Sequence, residues 1–546
     1  MQTTSSRYRL PLLPFLLLAL LLPAGLLAQT PTDPDAEIFG ETIDVRVVSL
    51  EVAVTRKGER ITGLDADDFR LLVDGEERPI EFFSEIQGGY AVARSGNEGG
   101  NGTLPAHEPG QAVGTRYLVF IDDVFTVQSR RDRTLRKLKD ELPRLGPNDS
   151  MAIVAFDGDQ VDLLTSWTSS VRELESALRK ASDRPSYGLH HRARKRIDRD
   201  LYFFAASPIE RRFGFARRGS WSYGSLANVV DAAMSSLRAF SRPEGRKVML
   251  MVSGEWPTTY DAVALSDNSI SPGPVRTDRE LFGPLVDTAN LLGYTLYPID
   301  TEGVVSRFGD ASFGSLAAAN FAREVAEYEE FSLEGQWITL ARETGGQALI
   351  DGAAGRPLER VQSDVRSYYS IGFTPDWQAD DVRHRVKVEY KGKGKVRVRR
   401  SFMDLSRETE TTLRLVSAQL FGLPVPGAGP LTASFGEAAD GGFRKVLVPL
   451  LVEIPLDRVT RLPTAEGWAT RLELRVAVTD DRGDRADIPV VPVVVQSDSE
   501  PAPGETRTFR TTLKMRERPH QVLVSLYDPA TGEELSERLD IAFGDV

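Results

Sequence analysis

The sequence contains no cysteine and only five histidines among its 546 residues. The absence of cysteine excludes disulfide bonds, thiolate metal sites and cysteine nucleophiles. Five scattered histidines leave little room for a zinc site built from histidine. The sequence also lacks a nucleophile elbow, a P-loop, a dinucleotide fingerprint and a zincin helix. These absences together predict a protein without enzymatic activity.

The charge of the chain is acidic overall. Lysine and arginine number 67 against 79 aspartates and glutamates, which gives a formal net charge of -12. An acidic chain is a poor general binder of nucleic acid, so nucleic acid is not expected as a partner. The length suggests about three domains.

The first 28 residues have the pattern of a secretory signal peptide. Arg7 and Arg9 precede the apolar run from Leu10 to Leu22, and Ala28 is a small residue at the expected cleavage position. Because no later apolar stretch is long enough to span a bilayer, we expect no transmembrane segment after cleavage. The protein is then periplasmic or extracellular. An uncleaved anchor helix is the alternative interpretation of the same pattern.

The remaining chain divides by its apolar patterning. Asp74-Gly75 separates two apolar runs and indicates a tight hairpin. Short alternating segments after residue 405, beginning with a strand over Leu413–Leu420, are typical of a β-sandwich. The predicted parts are an N-terminal β unit (41–87), a linker (88–113), a central domain (114–376), a β-hairpin extension (377–404) and a β-sandwich domain (405–546).

In the central domain, unbroken apolar runs alternate with amphipathic stretches. Tyr117–Ile121 and Lys247–Val252 are typical of strands buried on both faces, and Arg130–Leu145 has helical spacing. This alternation predicts a doubly wound, Rossmann-like α/β domain that closes with a strand over Ser367–Phe373. The expected fold class is therefore α/β, with a small N-terminal β unit and a C-terminal all-β, immunoglobulin-like sandwich.

Six phrases between residues 43 and 402 follow one another in a characteristic order: Gly63–Phe69, the strand ending in Asp122, Pro147–Phe156, Lys247–Glu255, Leu340–Gly346 and Tyr368–Pro375. In this order they resemble the von Willebrand factor A domain and a bacterial subgroup of exported proteins, typical of acidobacterial genomes, that carries it. The resemblance implies a von Willebrand factor A fold whose surface serves adhesion or protein binding.

Relatives with this domain commonly hold Mg²⁺ in a metal-ion-dependent adhesion site, and the resemblance implies a degenerate form of it here. Asp122 matches the first aspartate and Thr126 can replace the last hydroxyl ligand, but Val124 cannot ligate and Ser253 replaces an aspartate. The candidate metal ligands are therefore Asp122, Asp123, Thr126 and Ser253, with weak or lost dependence on a divalent metal. The alternative is a vestigial site in which the two aspartates bond loop amides or cap a helix.

Residues 190–218 form an insert whose charge is opposite to that of the chain. It holds nine basic and three acidic residues, interleaved with aromatic ones. This composition fits a docking arm for an acidic partner, or else a solvated helical face. The candidate partner-binding residues are Arg192, Arg194, Lys195, Arg196, Arg211 and Arg212.

These observations lead to a hypothesis for function. The chain is expected to be an exported, non-enzymatic binding protein whose partner is a protein at the cell envelope. The alternative is a structural or scaffold component of the envelope without a discrete ligand. A hydrolase with an unrecognised site is a third class.

Overall fold

The computed structural model describes most of the chain after residue 46. The predicted signal peptide and residues 93–103 of the predicted linker lie outside the described residues. Only the backbone is described for residues 208–223, 278–279, 417 and 420–421. The described ranges are 47–92, 104–193, 208–241, 245–254, 256, 278–301, 335–350, 355–376, 378–421, 425, 428–464, 467–480, 488–499 and 501–543.

The helices and strands fall into three parts along the chain. The first part contains β1 (Val48–Arg56), β2 (Glu59–Arg60), a 3-10 turn (Ala66–Asp68), β3 (Phe69–Val73), β4 (Glu76–Arg78), β5 (Phe82–Gln87), β6 (Tyr90–Ala91) and β7 (Leu104–Pro105). The middle part contains β8 (Thr115–Asp122), α1 (Gln128–Glu141), a 3-10 turn (Leu142–Arg144), β9 (Ser150–Phe156), β10 (Val161–Thr168), α2 (Val171–Asp183), α3 (Pro208–Ala239), β11 (Arg246–Ser253), α4 (Asp278–Leu291), β12 (Tyr294–Asp300), α5 (335–343), α6 (Pro357–Val365) and β13 (Tyr368–Phe373). The last part contains β14 (Val382–Tyr390), β15 (Lys395–Arg397), β16 (Ser401–Asp404), α7 (Arg407–Phe421), β17 (Gly429–Pro430), β18 (Thr432–Phe435), β19 (Ala439–Asp440), β20 (Lys445–Pro455), β21 (Leu462–Thr464), β22 (Gly467–Asp480), β23 (Val490–Ser497), β24 (Thr506–Arg516), β25 (His520–Tyr527) and β26 (Glu534–Ile541).

Strands dominate this architecture, and the predicted fold class is wrong. Of the described residues, 44% are in strands and 26% in helices, and these strands form five sheets rather than one doubly wound core with appended β units. The alternation of strand and helix is confined to one sheet, in the order β10-β9-β8-β11-β12. The prediction failed because strands on either side of this region combine with one another into further sheets.

The five-stranded sheet positions the predicted metal ligands. Its inner strands are parallel and β10 is an antiparallel edge strand. Leu118 and Phe120 pack toward α3 and α4, whereas Val119 and Ile121 pack toward α1, α2 and α6. Strands β8 and β11 pair in register to their carboxyl ends, so the loops after Asp122 and Ser253 begin side by side.

Strand β13 does not close the five-stranded sheet, contrary to the sequence prediction. It pairs antiparallel with β1 on one side and with β5 on the other. Its Ile371 shares a core with Leu50 and Phe83, so burial of a common apolar face explains the pairing. Strands β6 and β7, which fall in the predicted linker, pair with β5. The predicted boundaries around 88–113 therefore do not separate independent sheets.

A four-stranded sheet, in the order β16-β14-β3-β4, joins the predicted N-terminal unit to the predicted hairpin extension. The turn between β3 and β4 is formed by Asp74 and Gly75, whose φ angles are 51° and 91°. Both angles are positive, as a two-residue hairpin turn requires. The sequence prediction of a tight hairpin at this position matches the structure.

After residue 405 the chain forms a helix and two further sheets. The predicted strand over Leu413–Leu420 is wrong, because these residues belong to α7. Leu415 and Ala418 lie one turn apart and pack against Ala477 and Leu523. The sheets of β17-β26-β25-β22-β21 and β18-β20-β19, extended by β23 and β24, enclose one apolar core. Among the described residues, no helix combines the length and apolarity that crossing a membrane requires.

Candidate functional site

The carboxylate of Asp122 is fully buried and is surrounded by four hydrogen-bond donors. Oδ1 accepts from the backbone amides of Val124 (2.9 Å) and Phe125 (3.1 Å). Oδ2 accepts from the hydroxyl of Ser253 and from the indole Nε1 of Trp256, which lies 3.0 Å away. Burial raises the pKa of Asp122 to about 6 despite these four donors. The lone pairs of this carboxylate are therefore already engaged by the protein.

Trp256 connects this carboxylate to the helices beyond the sheet edge. Its side chain is fully buried and stacks on Phe282 of α4, with ring centroids 5.5 Å apart. It also lies against Trp337 of α5, at a centroid distance of 4.5 Å. Burial of three aromatic rings in contact stabilises the positions of α4 and α5. The carboxyl edge of the sheet thus anchors two helices.

Asp123 belongs to a separate, equally buried network. Its Oδ1 accepts from Nη1 of Arg131 at 2.6 Å, and its Oδ2 accepts from Nε of Arg184 at 2.7 Å. Arg131 is fully buried and also donates to the carbonyl of Ser182. Burial raises the pKa of Asp123, and the two guanidinium groups offset part of this effect. Asp123 holds α1 to the chain that follows α2.

Two glycines bring backbone close to the loop that follows β8. A Cβ on Gly254 would lie 2.3 Å from the carbonyl oxygen of Phe125, and one on Gly188 would lie 2.3 Å from that of Thr126. The amide of Gly188 donates to that Thr126 carbonyl at 2.9 Å, and the Thr126 hydroxyl donates to the Asp122 carbonyl. The loop is therefore enclosed on both sides by backbone.

These contacts do not fit a magnesium ion. Mg²⁺ requires oxygen ligands in near-octahedral geometry, with lone pairs directed at the ion. The structure brings Asp122, Thr126 and Ser253 together, but as a hydrogen-bond network completed by the indole N–H of Trp256, which cannot ligate. It places Asp123 in the arginine network instead. The contacts are those of the vestigial alternative, in which Asp122 bonds loop amides.

The predicted partner-binding residues lie mostly beyond what is described. Arg192 is half-buried, near His191, whose ring lies 4.6 Å from that of Phe125. Arg194, Lys195 and Arg196 lie outside the described residues, and Arg211 and Arg212 belong to α3, where only the backbone is described. The docking-arm interpretation stays a prediction.

A large cleft with a basic lining, termed the basic cleft, lies between strand β14 and helices α4 and α5. Its volume is about 1320 Å³. Phe282 and Leu340 form part of its apolar wall. Among the described lining residues, Glu343 is the one acid, whereas the cations are Arg342, Arg383, Arg385, Lys387, Arg397 and Arg400.

Five of the six cations of the basic cleft come from the alternating pattern of β14 and from the chain around β15, and Arg342 comes from α5. Residues 383, 385 and 387 share one face of β14, while Val386 and Val388 point into the core behind it. Arg383 pairs with Asp287 of α4 at 3.2 Å, and Arg400 pairs with Glu343 of α5 at 2.9 Å. These ion pairs hold the strand and the helices on opposite sides of the cleft.

Two lining groups differ from the paired cations. Arg385 is exposed and makes no ion pair within 4 Å among the described residues, although its charge acts on the nearby carboxylate of Asp74. Gln336 is buried, and its side-chain Oε1 has no hydrogen-bond partner among the described residues. A buried acceptor without a donor is costly, so a ligand with an N–H group would stabilise it. The cleft thus presents positive charge together with a buried hydrogen-bond acceptor that no described donor reaches.

Sequence reasoning did not find this cleft. Its lining comes from four segments, around residues 72–75, 282–286, 335–343 and 383–400, and most of these are far apart in the chain. The available signal was the alternation of basic residues from 383 onward, which a solvated strand face shows as well. Only the packing of α4 and α5 opposite β14 distinguishes the two cases.

Comparisons with known proteins identify no family. No family model matches the chain, and no curated protein matches it. Solved structures with some similarity include a calcium-binding mutant of Bacteroides uniformis beta-glucuronidase 2, at 16% identity over 21% of this chain and 13% of that chain, with a TM-score of 0.15. The ApaA protein from Bordetella pertussis is 12% identical over 22% of this chain and 99% of that one (TM-score 0.14), and bovine butyrophilin is 13% identical over 32% and 63% (TM-score 0.12).

The chain spans 13% of the length of the beta-glucuronidase chain it matches. TM-scores of this size carry no argument about fold or function. These neighbours lend no support to a von Willebrand factor A domain, so that resemblance stays an expectation from sequence.

Proposed function

We propose that this chain is an exported, non-enzymatic binding protein that captures an acidic segment of a partner protein in the basic cleft. The observation that carries the proposal is the described lining, which holds six cations and one acid in a chain of net charge -12. Carboxylates outside the lining pair with three of these cations: Asp287 with Arg383, Glu389 with Lys387 and Asp364 with Arg397. Such local concentration of positive charge attracts anionic ligands and speeds their association. A partner at the cell envelope would meet the cleft after export.

The size and chemistry of the basic cleft favour a peptide segment over a small anion. Pockets for small ligands measure roughly 300–1,000 Å³, whereas this cleft measures about 1320 Å³. The apolar wall formed by Phe282 and Leu340 suits side chains of a peptide, and the buried Oε1 of Gln336 could accept from its backbone N–H groups. Acidic side chains would reach Arg385, Arg342 and Arg400.

The buried Asp122 network would serve this function indirectly. It fixes Trp256, and Trp256 stacks on Phe282, which lines the cleft. Because no metal ligand is required, capture of the partner is expected to be independent of Mg²⁺. This distinguishes the proposal from metal-dependent adhesion.

Charge reversal in the cleft tests the proposal. The probe is a fluorescein-labelled peptide of alternating aspartate and leucine, titrated with the mature protein while anisotropy is measured. The double variant Arg342→Glu, Arg385→Glu is expected to bind the peptide at least tenfold more weakly, because each position loses an attraction and gains a repulsion, each worth about 0.5–1 kcal/mol. Magnesium or a chelator should leave both affinities unchanged.

Arg510→Glu is the matched control, because Arg510 is an exposed arginine on β24 and does not line the cleft. It is expected to bind the peptide nearly as wild type does. A peptide with asparagine in place of aspartate should bind neither the wild type nor Arg510→Glu. The proposal is wrong if the double variant and Arg510→Glu bind the acidic peptide equally, or if the asparagine peptide binds as well as the acidic one.

A further inference from the structure

A cluster of one histidine and two aspartates lies at the end of the sheet formed by β14 and β16. One ligand atom each from Asp380, His384 and Asp404 lies within 4.8 Å of the other two. Asp404 stands opposite Val382 in the antiparallel pairing, so Asp404 and His384 share one face of the sheet. Asp380 precedes β14 and completes the cluster from the adjoining loop.

The buried carboxylate of Asp404 is an independent observation that points to a bound cation. Its side chain is only 2% exposed. Oδ2 accepts from the backbone amides of Gln378 and Ala379, the latter at 3.0 Å. Oδ1 is buried, and no hydrogen bond reaches it from the described residues. A buried carboxylate oxygen without a donor is costly unless a cation binds it.

His384 has the orientation that a metal-binding histidine needs. Its Nδ1 lies 2.7 Å from Oδ2 of Asp74, and its ring stacks on Phe402 with centroids 5.1 Å apart. Histidines that bind metal through one nitrogen usually donate the other N–H to a carboxylate. Asp74 is itself fixed by the amide of Arg385 at 2.8 Å. The remaining nitrogen, Nε2, lies 3.9 Å from Oδ1 of Asp380.

The loop that carries Asp380 is held in place at both neighbouring residues. Ala379 and Asp381 have φ angles of 51° and 58°, which non-glycine residues adopt rarely and at some cost. The carboxylate of Asp381 accepts from the amide of Ser406 at 2.8 Å and from the hydroxyl of Thr409 at 2.9 Å. These bonds hold the loop against the start of α7, so the position of the backbone at Asp380 is fixed.

We propose that Asp380, His384 and Asp404 bind a divalent transition metal ion, with Zn²⁺ as the first candidate and Asp74 orienting the histidine. A nitrogen ligand favours zinc over magnesium or calcium. Two carboxylates balance the charge of the ion. Ligand atoms around tetrahedral zinc lie roughly 3.4 Å apart, so the three side chains would draw together by about 1 Å. Because Asp380 is exposed, the fourth position faces solvent and would hold water.

The proposed zinc site does not depend on the function proposed for the basic cleft, although both involve strand β14. His384 lies between Arg383 and Arg385, whose side chains line the basic cleft from the other face of β14. Zinc would therefore fix the strand without touching a ligand in the cleft.

Calorimetric titration of the metal-depleted mature chain with zinc chloride tests the inference. We expect one equivalent of Zn²⁺ to bind with micromolar or better affinity, and to raise the thermal unfolding temperature because it binds the folded state. His384→Gln and Asp380→Asn are each expected to weaken binding at least tenfold. Asp380 is exposed, so its amide variant should fold normally even if the histidine variant does not.

His107→Gln is the matched control, since it removes a histidine outside the cluster. It should bind zinc as wild type does. Magnesium chloride should produce no heat at this site, and a cobalt(II) titration should produce the visible absorption of a bound ion in wild type but not in Asp380→Asn. If wild type binds no stoichiometric zinc, or if Asp380→Asn and His107→Gln bind it equally, the site does not exist.

Discussion

Replacing Trp256 with alanine is expected to lower the free energy of unfolding by about 5 kcal/mol. Removing a fully buried tryptophan costs about 3–5 kcal/mol through lost packing and the cavity that remains. Loss of its hydrogen bond to the buried carboxylate of Asp122 adds about 1.5–3 kcal/mol, less any relaxation of the neighbouring rings. Guanidinium denaturation, followed by far-ultraviolet circular dichroism, measures the change.

The variant Trp256→Phe separates these two contributions. It retains most of the stacking on Phe282 and Trp337 but cannot donate to Asp122. We expect it to lose about 2 kcal/mol, the cost of one missing hydrogen bond to a buried charge. If both variants lose the same amount, the hydrogen bond carries the effect and the aromatic packing does not. If neither loses stability, the network around Asp122 does not anchor α4 and α5.

Replacing Arg131 with methionine is expected to cost about 3–5 kcal/mol, the second largest effect. Arg131 and Asp123 form an ion pair in which both side chains are fully buried. Removing one partner leaves a buried charge with a single remaining guanidinium, that of Arg184. The carbonyl of Ser182 also loses its donor. Methionine retains most of the volume, so the loss reports charge and hydrogen bonding rather than a cavity.

Arg136→Met is the control for this measurement, because Arg136 is an exposed arginine of the same helix, α1. Surface changes of this kind alter stability by about 0.5 kcal/mol or less. Guanidinium denaturation of the three proteins provides the comparison. A loss for Arg131→Met no larger than that for Arg136→Met would show that the buried pair contributes nothing to stability.

Local structure could be predicted from this sequence where burial dictates it. The apolar runs at Tyr117–Ile121 and Lys247–Val252 are strands, and Asp74-Gly75 is a turn, since both signals act over a few residues. The partner of a strand is not a local property. The apolar pattern of Tyr368–Phe373 fits an edge strand of a parallel sheet as well as an inner strand between β1 and β5. The apolar core that this strand shares with Leu50 favours the second arrangement.

The prediction for helix α7 failed for a related reason. The segment Leu413–Leu420 has apolar residues that fit either period, and the signal for a helix lies before it, at Ser406, whose hydroxyl accepts from the backbone amide of Thr409 at 3.2 Å. Asp381, far back in the chain, accepts hydrogen bonds from Ser406 and Thr409 at the start of the helix. The segment alone does not contain that bond.

The candidate sites were predictable only in part. The sequence pointed to Asp122 and Ser253 and placed them together, because parallel strands end at one edge. It did not reveal Trp256 as the donor that, with Ser253, occupies the second oxygen of Asp122. A metal site that uses a histidine was not expected from sequence. Antiparallel pairing of strands, rather than a local spacing in the chain, brings Asp74, Asp380 and Asp404 around His384.

The most direct measurement of the proposed function uses the absence of native cysteine. Thr339 is exposed and lines the basic cleft, and Thr512 is an exposed threonine on β24. Single Thr339→Cys and Thr512→Cys variants are reacted with a maleimide, with and without the acidic peptide. A peptide seated in the cleft should slow modification at position 339 several-fold and leave position 512 unchanged, whereas its asparagine version should slow neither. Equal rates at position 339 with and without the acidic peptide would contradict capture in the basic cleft.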